Sequence, residues 1–150
     1  MSDNWISLIP EDPRFIPHSE KQLIARMRFA EIAPDADEIN IIASESVQFF
    51  DCGANFEKVT CPECLSEIPI SWWQDRMEDD CEDGFNLDSY LTPCCNAAKT
   101  LRELTYEWPQ TFGRFSLEAM NPNIGTLNDE HRRELEEILG TPLIVVYQHI

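Results

Sequence analysis

Two short cysteine motifs, Cys61-Pro-Glu-Cys64 and Pro93-Cys94-Cys95, restrict this chain more than any other feature of its sequence. The two-residue spacing of the first lets both thiolates turn toward one ion from a tight knuckle. Backbone N–H groups in such a turn also soften the negative charge on sulfur. The flanking runs, residues 56–60 and 68–70, are strand-like and match the hairpin of a zinc ribbon. A complete tetrahedral site needs two more ligands. Adjacent cysteines supply both only if the backbone bends sharply between them. Four assignments therefore compete: Cys94 with Cys95, one of these with Cys81, Cys52 instead, or a histidine. His18, His131 and His149 all lie far from the cysteine-rich stretch. The Cys94/Cys95 pair is favoured because both sit in a Pro-Cys context, whereas the acidic run around Cys81 disfavours another thiolate.

The expected site is thus Cys61, Cys64, Cys94 and Cys95 around a structural zinc ion. Four thiolates leave no open coordination position, so such a site stabilises a fold and performs no chemistry. Two other readings compete: reduced thiols that simply pack in a core, and a redox C-x-x-C. The redox reading wants a helix start that lowers the thiol pKa, and Pro62 with its β-like flanks argues for a knuckle instead.

A chain of 150 residues fits one domain and buries a core without disulfides. With 43% apolar residues it is globular. Residues 1–150 read as a single domain in which residues 56–100 form a cysteine-rich insertion, poor in continuous apolar runs and held mainly by its ion. The first residues show no basic, apolar leader, and no stretch approaches the ~20 apolar residues of a membrane span. The expected location is the reducing cytoplasm, where cysteines are thiols or metal ligands.

Outside the insertion the elements alternate. Residues 5–9 read as a strand ended by Pro10. Ser19 and Gln22 form a capping-box pattern that opens a helix over residues 20–33, with Leu23, Ile24, Met27, Phe29 and Ala30 as its apolar face. Residues 38–50 are β-prone, as one bent strand or two linked at Ser44-Glu45-Ser46. Residues 112–120 alternate, Phe115, Leu117 and Ala119 against Arg114, Ser116 and Glu118, predicting one buried and one wet face. Asn128 caps a second helix, Gly140 ends it, and residues 143–147 form a buried strand. The order β-α-β…β-α-β predicts an α+β fold: a ferredoxin-like split βαβ sheet with two helices on one face and a zinc-ribbon-like insertion.

The net charge is −17, from 28 acids and 11 bases. Such a field repels phosphate backbones and attracts basic proteins. The run Glu78-Asp-Asp-Cys-Glu-Asp-Gly84 is no EF-hand, since Cys81 and Tyr90 fall where calcium ligands are needed. Trp72 at the rim of a short helix, beside Asp79, Asp80, Glu82 and Asp83, reads either as core and solvated face or as an aromatic anchor within an acidic docking surface. Tyr106, Trp108, Phe112 and Phe115 read as a core cluster. Nucleotide-binding loops, nucleophile elbows and zinc-protease helices are missing from the sequence.

The run Cys61-Pro-Glu-Cys64, Leu91-Thr-Pro-Cys94-Cys95, Leu101-Arg-Glu-Leu-Thr-Tyr-Glu-Trp-Pro109, Phe112-Gly-Arg-Phe115 and Asn121-Pro122 resembles a family of small uncharacterised bacterial proteins over most of the chain. The resemblance implies a cytosolic bacterial protein and little about mechanism. Asn96 follows the paired cysteines where that pattern has Gly. The expectation is a non-catalytic binding protein with a basic protein partner, akin to immunity proteins that neutralise basic toxins. The alternatives are an enzyme or metal-dependent factor assembled from dispersed residues, and an acidic mimic of nucleic acid.

Overall fold

A computed structural model describes residues 2–150. Its main sheet has four strands: β1 (Asn4–Pro10), β2 (Glu38–Phe50), β8 (Thr111–Met120) and β9 (Leu143–His149), in the order β2-β8-β1-β9 with every neighbouring pair antiparallel. Helices α1 (Ser19–Ile32) and α3 (Asp129–Leu139) cover one face. The core there joins Ile6, Leu8, Phe115, Leu117, Ala119 and Leu143 of the strands to Ala25, Phe29, Leu135 and Leu139 of the helices. Arg28 and Glu134 tie the helices together at 2.8 Å. The chain is therefore a mixed α and β protein built on antiparallel sheets. Among the described residues no helix is long and apolar enough to cross a membrane.

The strand pattern and the α3 caps match the sequence reading. The Asn128 side chain accepts the His131 N–H at 2.8 Å, and Gly140 takes the left-handed conformation with φ 77°. Three local expectations are corrected. In α1 the cap is His18, whose ring nitrogen accepts the Glu20 N–H, while Ser19 is already helical and Gln22 reaches back to the Pro17 carbonyl. The helix also turns the other way. Ala25 and Phe29 face the sheet, and Leu23, Ile24, Met27 and Ala30 face outward. Both stripes are apolar, so spacing alone did not choose between them. The second face of β8 is not wet either: Ser116 is fully buried, and Ser7 and Ser116 both donate to the Glu118 carboxylate.

Between β2 and β8 the chain makes an excursion, residues 51–110, longer than the 56–100 expected because its last strand still belongs to it. It contains β3 (Val59–Thr60), β4 (Glu67–Ile68), a third helix α2 (Ile70–Asp80), β5 (Tyr90–Leu91), β6 (Ala98–Lys99), a 3-10 turn at Leu101–Glu103 and β7 (Thr105–Tyr106). Strands β4-β3-β7 form one small sheet and β5-β6 another.

The excursion has its own core, contrary to expectation. Val59, Ile68, Leu101 and Phe112 are fully or nearly fully buried, and around them lie Phe49, Phe56, Trp73 and Phe85. Trp73 stacks on Phe56 at 5.3 Å and donates its indole N–H to Tyr106, whose hydroxyl donates to the Leu101 carbonyl. Phe115 belongs to the helix-side core instead, and Trp108 is 39% exposed, so the expected aromatic quartet is split.

Candidate metal centre

Two hairpins build the site. The first, β3-β4, turns through Cys61-Pro-Glu-Cys64-Leu-Ser66; the second, β5-β6, turns through Thr92-Pro-Cys94-Cys95-Asn-Ala97. Their backbones follow one scheme. Cys61 N–H donates to Ser66 and Leu65 N–H to Cys61, at 2.9 and 3.0 Å. Thr92 N–H donates to Ala97 and Asn96 N–H to Thr92, at 2.9 and 3.0 Å. Both fifth residues are left-handed, Leu65 at φ 64° and Asn96 at φ 58°. Asn tolerates this region because its short amide bonds locally, so Asn96 keeps the turn tight where a Gly was expected.

Lys99 and Glu63 bridge the knuckles at 2.6 Å. Across that junction the thiol sulfurs of Cys61, Cys64, Cys94 and Cys95 all lie within 4.8 Å of one another. The Cys61–Cys95 separation is 3.8 Å. The edge of a tetrahedron with metal–sulfur bonds of ~2.3 Å is about 3.8 Å, so the cluster needs little movement to close on an ion. Four cysteines thus lie together as in a metal site, the set expected from sequence. Cys52 and Cys81 lie outside it. Cys52 is buried against Gln110, whose side-chain oxygen accepts from its thiol and its N–H. Cys81 is exposed.

Local donors prepare the thiols unequally. Hydrogen bonds from the Ser66 side chain and N–H hold Cys64 down at about 6, and the Cys64 N–H lowers Cys61. Burial pushes Cys94 up to about 11, helped by its hydrogen bond to Cys64. The cluster thus holds thiols that ionise easily, Cys64 above all, beside one, Cys94, that keeps its proton; a metal ion bound there would have to displace that proton. Thr92, fully buried, accepts the Ala97 N–H through Oγ1, which lies 3.5 Å from Cys95 Sγ.

The expected docking residues sit nearby on α2 and the loop after it. Asp79, Glu82 and Asp83 are exposed, and Trp72 is half-buried. Arg76 lies over the Trp72 ring at 5.6 Å and pairs with Asp79 at 2.7 Å. Asp80 is corrected: it is fully buried and cannot form part of a surface. Its carboxylate accepts the Leu87 and Asp88 N–H groups and the Tyr90 hydroxyl, at 2.8 to 2.9 Å. It anchors the loop that delivers the second hairpin. A run of acids in sequence does not show that one member turns inward. The signal was the apolar Phe85 and Leu87 just beyond, which draw the loop onto the core.

No family model, no curated protein and no solved structure matches this chain.

Proposed function

We propose that the four cysteines hold a structural zinc ion and that the chain is a non-catalytic binding protein for a basic protein partner. The sulfur cluster carries the first half. All-thiolate donors suit zinc, and a sphere closed by four of them leaves no position for substrate or water. Four clustered free thiols fit a reducing, cytoplasmic location. The paired hairpins support a zinc-ribbon reading of residues 51–110. The order β2-β8-β1-β9, all antiparallel, supports a ferredoxin-like split βαβ frame beneath it.

The partner reading rests on the charge of −17. Its contact residues are Trp72, Asp79, Glu82 and Asp83, with Asp80 removed from the surface and assigned to the loop behind it. A cationic side chain from the partner competes with Arg76 for the Asp79 carboxylate and the Trp72 ring. An immunity-like protein that neutralises a basic toxin belongs to this class; the resemblance to small bacterial CPxC…PCC proteins is part of this proposal and carries no activity of its own.

Native mass spectrometry tests the metal: one zinc per chain is expected, lost when Cys61, Cys64, Cys94 or Cys95 becomes Ser and kept in the C52S and C81S variants. Affinity capture from a bacterial lysate at graded salt tests the partner. A basic protein that elutes as salt rises, and that D79N/E82Q/D83N no longer retains, is the expected result. Retention independent of salt and of those acids contradicts it.

A further inference from the structure

Where β1 begins and β9 ends, the molecule has a cavity of about 940 Å³ that shares no residue with the sulfur cluster or the acidic α2 face. The strand register sets its residues side by side: Asn4 with His149, Trp5 with Gln148, Ile6 with Tyr147. Residues 121–126 supply another wall, pinned at both ends. The Asn121 N–H donates to the Asn4 carbonyl at 2.6 Å, and the Asn4 N–H to the Asn121 side-chain oxygen at 2.9 Å. The Leu127 N–H donates to the Tyr147 hydroxyl at 3.0 Å. Asn55 and Trp108 reach in from the excursion. A concave site of this size, preformed by its own hydrogen bonds, suits a small ligand.

Its lining departs from the rest of the chain. None of the described residues around it is Asp, Glu, Lys or Arg, although the sequence has 28 acids and 11 bases. In their place stand four of the eight asparagines and two of the four tryptophans. Neither Trp5 nor Trp108 belongs to a core cluster, and Trp108 is 39% exposed. Carboxylates lie behind this lining and orient it. Asp51 accepts the Gln148 amide N–H at 3.0 Å, and Asp3 and Asp37 accept that of Asn121 at 3.0 and 2.8 Å. The Asn55 amide donates to the Tyr147 carbonyl at 3.0 Å. Gln148 and Asn55 are thereby fixed through nitrogen, which leaves their side-chain oxygens for a ligand.

Charge and hydrogen bonding select that ligand. An anion is repelled by the field of −17. A cation finds no carboxylate in the lining to pair with. A carboxamide offers a donor and an acceptor together, as a hydroxyl group does. A nucleobase needs such groups along one planar edge. Here Asn4, Asn55, Asn123 and Gln148 come from four separate segments around the cavity, which matches a ligand with hydroxyls on its whole perimeter. The two indoles add flat apolar faces for the C–H sides of a ring.

We propose that this cavity binds a neutral saccharide, its rings against Trp5 and Trp108 and its hydroxyls on the Asn55, Asn123 and Gln148 amides.

Cellotriose, maltotriose and chitotriose titrated into the full chain test this, read by the indole N–H signals in nitrogen–proton NMR. At least one should move the Trp5 and Trp108 signals and leave those of Trp72 and Trp73 in place. W108A, at an exposed position, should raise the dissociation constant by about tenfold or more. N123G removes the amide but keeps the left-handed turn at φ 56°, and should weaken binding as well. Circular dichroism and metal content should match wild type in both variants. The proposal is overturned if none of the three sugars moves the Trp5 and Trp108 signals at millimolar concentration. Binding that both variants leave intact overturns it too, as does adenosine shifting those signals while the sugars stay silent.

Discussion

Thr92 stands in the second knuckle where Cys61 stands in the first. Each opens a Pro-containing turn, accepts the N–H of the residue four on, and donates to the carbonyl of the residue five on. The second knuckle has its first sulfur two places later, at Cys94, on an unchanged backbone path. The ligand slot and the turn are therefore separable. C94S should weaken metal binding by more than about a hundredfold, beyond the usual cost of losing an outer-shell partner. Adding T92C should recover much of that loss, because Thr92 Oγ1 already lies 3.5 Å from Cys95 Sγ. Competition titration with a chromophoric chelator reads both changes.

Removing the metal should loosen one hairpin and spare the rest. Strands β5 and β6 pair only with each other, and Leu91 is 63% exposed. What holds the hairpin is the sulfur cluster, the Lys99–Glu63 pair and Tyr90 on Asp80. After chelation, amides within residues 88–99 should exchange faster while those of β1, β8 and β9 keep their protection. The far-ultraviolet circular dichroism should change little.

Loss of Phe112 should act the other way. Its ring is fully buried against Phe49 at 4.9 Å and Phe85 at 5.0 Å. Phe112→Ala should cost about 3–5 kcal/mol by urea denaturation, with the penalty present whether or not the metal is bound.

Alkali should weaken the loop behind α2. Burial, followed by the hydrogen bond to Asp80, pushes the Tyr90 hydroxyl up to about 12. An unfolded chain releases this proton near pH 10. Between about pH 10 and pH 12 the unfolded state therefore holds fewer protons than the folded state, and stability falls as pH rises. Below pH 10 both states keep the proton and the slope vanishes. Tyr90→Phe should flatten the decline relative to wild type when urea midpoints are compared across that range. Tyr106, also raised by burial, is common to both proteins and cancels in the comparison.

The positions of the main strands and the ends of α3 were readable because local chemistry sets them: β-prone runs over residues 38–50 and 112–120, the Asn128 amide, the αL turn at Gly140. The clustering of Cys61, Cys64, Cys94 and Cys95 was readable because two proline-containing turns bring sulfur together. What escaped depends on long-range choice. Helix α1 offers an apolar residue on nearly every side, so only the sheet decides that Phe29 goes in and Met27 stays out. The second core draws Phe49 and Phe112 from the ends of long strands and Phe56, Trp73 and Leu101 from far apart in sequence. Windowed periodicity cannot register such a grouping. Asp80 differs from Asp79 only in the direction that the end of α2 presents it.

Strands β2 and β8 each cross from one core to the other: Phe115 packs under the helices, while Phe112, three residues back, packs among the aromatics of the excursion. The two cores are therefore joined through β8 in unbroken register and through β2 across a register break between Ala43 and Gln48, so any strain between the lobes concentrates at that break.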